Sequence, residues 1–208
     1  MRALTPVRLL APLMKPLLAR SIAMRRSQFE ALPKVADAVV FLGDSITEGG
    51  VWDEWFRELL TLNRGIGGDT VGGVLDRLDS ALYEPRAISL LIGTNDLTGM
   101  GRSFKVDDKA DQMDTLLARI REIAPDVPLF LNGVMPRSKS LADDIAELNR
   151  RDEKLAGVYG ATYLDLWPSL VGPDRALRKD VSRDGTHLNG NGYRIWVDIL
   201  RPHLAPFA

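Results

Sequence analysis

The chain contains no cysteine. Disulfides and thiolate metal sites are therefore excluded. Histidine is almost as scarce: His187 and His203 are the only two. That is too few for a His-rich zinc site and enough for one imidazole base. No apolar run approaches the roughly 20 residues that a membrane-spanning helix needs. An excess of either charge is also missing, with 27 Lys and Arg against 28 Asp and Glu for a net charge of −1. Without a dense basic face interleaved with aromatics, nucleic-acid binding has no support.

What is present is a chain of 208 residues, 45% hydrophobic and 26% charged, long enough for a single buried core and of ordinary globular composition. Its charge is uneven. Residues 1–29 hold Arg2, Arg8, Lys15, Arg20, Arg25 and Arg26 and no acid, leaving 21 basic against 28 acidic residues in the remainder. Residues 1–30 are expected to form a basic helical extension, and residues 31–208 the main domain. Pro6, Pro12, Lys15 and Pro16 break up any signal-like apolar stretch, while Leu17–Met24 suits an amphipathic helix. Three readings stay open for it: a helix packed on the domain or on a second copy in a homodimer, a helix in weak contact with a membrane surface, and a targeting segment for export. The expected location is otherwise cytoplasmic.

Strand-like and helix-like segments alternate from about residue 37. Ala38–Leu42 is β-branched, aromatic and continuous, as a buried strand should be. Leu62–Arg64, Ala87–Ile92, Leu129–Val134 and Thr162–Leu166 are the other expected strands. Helices are expected over Val51–Leu60, Thr70–Leu82, Val106–Ile123, Leu141–Val158 and Asn191–Leu200. Such alternation predicts parallel βαβ units with helices on both faces of the sheet. In these sheets ligands bind beyond the carboxyl ends of the strands. Gly43-Asp44-Ser45, Gly65–Asp69 and Gly93-Thr94-Asn95 each follow an expected strand, so they should meet on one edge.

The residues of these segments make up a set of parts. Ser45 is a hydroxyl nucleophile once a base accepts its proton. His187 is that base, and Asp184, three positions earlier, can orient and charge-balance the ring. The backbone N–H of Ser45, that of Gly68 and the side-chain amide of Asn95 can serve as oxyanion donors. Taken singly, each has a plain structural reading: a helix cap for Ser45, a solvated turn for Asp184 to His187, a tight turn for Gly68, an Asx-turn for Asn95. Their convergence favours the chemical reading. Thr47 stands where a glycine-x-serine-x-glycine elbow would need glycine, which argues against an α/β-hydrolase. The glycines after Arg64 nearly spell two nucleotide fingerprints, but Thr70 replaces the last glycine of one, and Gly73-Val74 the Lys-Ser/Thr of the other. The acids Asp107, Asp108 and Asp111 read as a solvated helix start.

Gly43-Asp44-Ser45, Gly68, Asn95 and Asp184-x-x-His187 resemble, in order, the four sequence blocks of the SGNH (GDSL-type) esterases and lipases. Phe41–Glu48, Asn63–Thr70, Ile92–Leu97 and Asp184–Tyr193 resemble in particular the branch that holds platelet-activating-factor acetylhydrolase catalytic subunits. The resemblance implies a three-layer α/β/α sandwich, flavodoxin-like, with a five-stranded parallel sheet. It also implies ester hydrolysis through an acyl-enzyme with no cofactor and no metal. Ser45 would be nucleophile, His187 base, Asp184 its orienter, and Ser45, Gly68 and Asn95 the oxyanion hole. With short connections and no cap domain, the site is expected to be open and to take small, short-acyl esters. Asp44, Trp52 and Met135 are the expected substrate contacts. The same acyl-enzyme would serve an acyltransferase or a carbohydrate O-deacetylase, whereas a non-enzymatic binding module would not need the complete set.

Overall fold

The computed structural model describes residues 6–98 and 106–208, with side chains from residue 16 onward. Residues 1–5 and 99–105 lie outside this description. In chain order the elements are α1 (Pro6–Ala31), β1 (Val39–Gly43), α2 (Ser45–Glu48), α3 (Trp52–Trp55), β2 (Thr61–Gly65), α4 (Val71–Leu75), α5 (Leu78–Ala81) and β3 (Ala87–Leu91). They continue with α6 (Val106–Ile123), β4 (Leu129–Asn132), α7 (Ala142–Val158), β5 (Thr162–Leu164), α8 (Trp167–Leu170) and α9 (Gly190–Leu204).

The five strands are all parallel, in the order β2-β1-β3-β4-β5. Every residue of β1 and β3 is buried, which is why these stretches read as continuous apolar runs rather than alternating ones. Alternate side chains still part company. Val39 and Phe41 enter a core with Trp52, Phe56, Phe130, Trp196 and Leu200. Val40 and Leu42 enter another with Val74, Ile88, Met113, Leu117 and Ile120. The sheet is thus the middle of three layers, with α3, α8 and α9 on one face and α4 to α7 on the other. Strand order reverses at β1, so the crevice beyond its carboxyl end is the switch point of a doubly wound sheet.

Several elements differ from expectation. The helix expected over Val51–Leu60 stops at Trp55, because Phe56 leaves helical geometry with φ −127° and ψ 63°. The helix expected over Thr70–Leu82 divides into α4 and α5 at Arg77 (φ −126°, ψ 14°), whose guanidinium is drawn inward to Asp69 and Gly43. The amphipathic segment at Leu17–Met24 is part of a longer helix that runs through Pro12 and Pro16. Its inner face is not purely apolar. Arg26 donates to the Gly73 carbonyl at 2.8 Å and faces Asp69 at 3.4 Å. Arg25 faces Glu48 at 3.4 Å. Phe29 is buried between the guanidinium carbons of Arg25 and Arg64, 4.8 and 4.9 Å from its ring centre. Two of the six N-terminal cations are therefore engaged with the domain.

At the opposite, amino edge of the sheet, Arg121 laces two loops together. It donates to the carbonyls of Ala124, Pro125 and Val127 and to those of Tyr159 and Gly160.

Candidate active site

Ser45, the expected nucleophile, is held by the end of β1. Gly43 has no room for a side chain: a Cβ there would lie 2.2 Å from the Leu91 carbonyl oxygen and 2.3 Å from Thr47 Oγ1. Asp44 then caps α2, its Oδ1 accepting from the Ile46 N–H at 2.9 Å. Ser45 is the first residue of that turn and only partly buried. The turn is clamped from three sides. Asn63 Nδ2 donates to the Thr47, Glu48 and Gly50 carbonyls at 3.1, 3.0 and 3.0 Å. Trp52 Nε1 donates to Thr47 O, and Tyr193 Oη to Ile46 O at 2.7 Å.

The structure brings Ser45, His187 and Asp184 together. His187 Nε2 lies 3.0 Å from Ser45 Oγ, and His187 Nδ1 lies 2.6 Å from Asp184 Oδ2. The other Asp184 oxygen accepts from the N–H groups of His187 (2.8 Å) and Thr186 (2.9 Å) and from Ser182 Oγ (3.2 Å). Desolvation opposes the charge on Asp184. The ring hydrogen bond and the two backbone donors outweigh it and hold the carboxyl well below the usual carboxylate range. It therefore stays ionised wherever His187 can act as a base. The side chains of His187 and Asp184 are about half exposed, so the site is open to water.

The expected oxyanion donors flank Ser45. Gly68 has φ +81°, a conformation that side chains other than glycine rarely adopt. The space a Cβ would take is filled by Leu18 of α1, 2.7 Å away. Asn95 Nδ2 donates to the Asp69 carbonyl at 2.8 Å and stands 3.5 Å from Asp44 Oδ2. One amide hydrogen is thus committed, and the second has only a contact at the weak limit of hydrogen bonding.

The donor loops are braced by buried charges. Asp69 Oδ2 accepts from Arg77 Nε at 2.7 Å, and the same guanidinium donates to the Gly43 carbonyl at 3.0 Å. Asp96, next to Asn95, accepts from Lys109 Nζ at 3.1 Å and from the Val71 N–H at 3.1 Å. Lys109 and Asp96 are both fully buried. Burial raises the Asp96 carboxyl, and Lys109 works against that rise. Such a pair adds little net stability but fixes geometry, because breaking it leaves one charge stranded. Asn63, Tyr193, Arg77, Asp96 and Lys109 were not among the residues expected from sequence. An Arg, Lys or Tyr in an ordinary stretch carries no signal of the partner it will meet.

Of the expected substrate contacts, Asp44 is 1% exposed and faces inward toward Ile46 and Asn95. Burial pushes its carboxyl up to about 7, against the pull of the Ile46 N–H. Trp52 and Met135, at 1% and 2% exposure, are core residues. Trp52 stacks on Phe41 with ring centres 4.1 Å apart and meets Trp196 edge-on at 4.8 Å. Neither presents surface to a ligand, because the α9 face of β1 needs large side chains to fill it.

The chain is similar to several known proteins. A Rattus norvegicus protein, platelet-activating factor acetylhydrolase IB subunit alpha1, is 29% identical over 167 residues, 74% of this chain and 69% of its own length. A solved Streptococcus pneumoniae protein superposes with a TM-score of 0.84 at 24% identity, covering 94% of this chain and 98% of that one. An acetyl xylan esterase superposes with a TM-score of 0.69 at 20% identity, over 80% of this chain and 98% of that one. These two structures bear on the fold alone. The profile of the GDSL-like lipase/acylhydrolase family matches residues 41–195, a span that contains Ser45, Gly68, Asn95, Asp184 and His187, and on that match the chain belongs to this family of carboxylic ester hydrolases.

Proposed function

We propose that the chain hydrolyses small, short-acyl esters through an acyl-enzyme on Ser45. The observation that carries this is the continuous relay from Asp184 through His187 to Ser45 Oγ, with spacings of 2.6 and 3.0 Å. His187 Nε2 takes the hydroxyl proton as Oγ attacks the ester carbonyl carbon. The carbonyl oxygen becomes an oxyanion facing the N–H groups of Ser45 and Gly68 and the second amide hydrogen of Asn95. Among the described residues neither backbone N–H is assigned an acceptor within the fold. The imidazolium then passes its proton to the departing alcohol. Water, activated by the same ring, releases the acid and restores Ser45.

Exposure of His187 and Asp184 favours water as acyl acceptor over a competing alcohol. Together with the burial of Trp52, it leaves, among the described residues, no dry apolar wall of the kind an acyltransferase would use. The same openness suits a bulky alcohol half, so O-deacetylation of a carbohydrate is the second reading.

The test is a panel of p-nitrophenyl esters from acetate to decanoate, with Ser45→Ala as control. Wild type is expected to favour the shortest acyl groups and to be labelled at Ser45 by a fluorophosphonate. The variant should lose both properties, with turnover down by about 10⁴-fold or more. Turnover by Ser45→Ala close to that of wild type would overturn the assignment.

A further inference from the structure

Arg137 is a half-buried cation at the catalytic edge whose charge the fold does not neutralise. It follows β4, and its Nη1 donates to Thr94 Oγ1 at 2.9 Å, one residue before Asn95. Arg26, Arg77, Arg151 and Arg178 each face a carboxylate within 4.0 Å. Among the described residues Arg137 makes no such pair. Residues 1–15 and 99–105 contain no Asp or Glu, so they hold no acidic side chain to supply one.

The two carboxylates whose fields reach Arg137 are Asp44 and Asp184, and both are occupied. Asp44 holds Ile46 and Asn95, and Asp184 holds His187, Thr186 and Ser182. Desolvation disfavours the charge on Arg137, and those two acids only partly offset it. A guanidinium has five N–H donors, and among the described residues one is used. With Leu177, Asp184 and Thr186, Arg137 lines a cavity of about 240 Å³ beside the triad. The planar fork of an arginine matches a carboxylate or phosphate in a way that a neutral ester substituent cannot exploit.

We propose that Arg137 is a specificity-determining residue that receives an anionic group, a carboxylate or a phosphate, carried by the ester substrate close to its scissile bond. The proposal rests on the hydrolase reading above. It places the preferred substrates among charged esters rather than neutral lipids or simple alkyl esters.

The test uses matched esters that differ only in that charge. On the alcohol half these are phenyl acetate, 4-acetoxybenzoate and 4-acetoxyphenyl phosphate. On the acyl half they are p-nitrophenyl valerate and p-nitrophenyl hydrogen glutarate, corrected for spontaneous hydrolysis. In at least one set wild type is expected to favour the anion by about 10-fold in kcat/KM, chiefly through KM. That ratio should fall towards 1 in Arg137→Gln, keep part of its value in Arg137→Lys, and shrink as salt rises from about 0.05 to 0.5 M. Three results would overturn the proposal: no preference for either anion on either half, a preference unchanged in Arg137→Gln, or an equal loss on charged and neutral esters. The last would mean that Arg137 merely props Thr94. If wild type turns over no ester and Ser45 resists the fluorophosphonate, the hydrolase reading itself fails and this proposal falls with it.

Discussion

Asp152, on α7, is 1% exposed, and its Oδ1 meets no donor among the described residues. Burial first, and the charge of Asp96 second, push its carboxyl up to about 8. In the unfolded chain the same proton leaves near pH 4. Between those values the unfolded state ionises while the folded state does not. The group's contribution to stability is therefore whole below about pH 4 and is lost as pH climbs to 8. Asp152→Asn should match wild type near pH 4 and exceed it by about 2–4 kcal/mol at pH 8.5, as read by urea unfolding. A difference that does not grow with pH would mean that the carboxyl is paired or hydrated. At the site, Asn95→Ala should lower kcat by about 10²–10³-fold with little change in KM, because the amide acts on charge that exists only in the transition state; steady-state kinetics on a short-chain ester checks this. Ser45, Asp184 and His187 were legible in the sequence because each places a distinctive side chain in a short glycine-marked segment. Lys109 was hidden among Asp107, Asp108 and Asp111, whose acids suggest a wet helix start, and Arg137 carries no local mark. Trp52 misled for the opposite reason. An aromatic residue soon after a nucleophile looks like a substrate wall, and only the packing against Phe41 shows that it is core.

At the level of elements, α1 is the part whose role sequence could least define. Its basic character left open packing on the domain or on a second copy, contact with a membrane surface, and export; in the fold Arg25, Arg26 and Phe29 face Glu48, Asp69 and Arg64, and Leu18 covers Gly68. Those contacts join residues more than 20 positions apart, which a local pattern cannot encode. Phe29→Ala should cost about 3 kcal/mol, since it removes a buried ring and the face it offers to two guanidinium groups. Chemical denaturation measures this, and a loss under about 1 kcal/mol would mean that α1 contributes little to the folded domain. The long helices α6 and α7 were readable because their apolar periodicity is strong, and the central strands because their nearly continuous apolar runs lead into glycine. The α3 and α4–α5 segments were not. Their apolar spacing is helical, but an inward pull on Arg77 and the geometry at Phe56 override it.

For the molecule as a whole, stability should be graded across the sheet. β1 and β3 are wholly buried and lie between other strands, whereas β5 is three residues long, sits at the edge and exposes Thr162. Amides of β1 and β3 are expected to exchange with deuterium about 10²-fold more slowly than those of β5. Uniform protection across all five strands would instead indicate one cooperative unit. Parallel pairing and the alternation that predicts it were visible in sequence. The strand order was not, since it depends on which crossovers pack on which face. That order puts every group of the proposed relay and oxyanion hole on one edge, and leaves the Arg121-laced loops on the other. A bead or electrode coupled at Asp126 or Val158 would therefore hold the enzyme by a stiff handle, with its mouth turned outward to the solution.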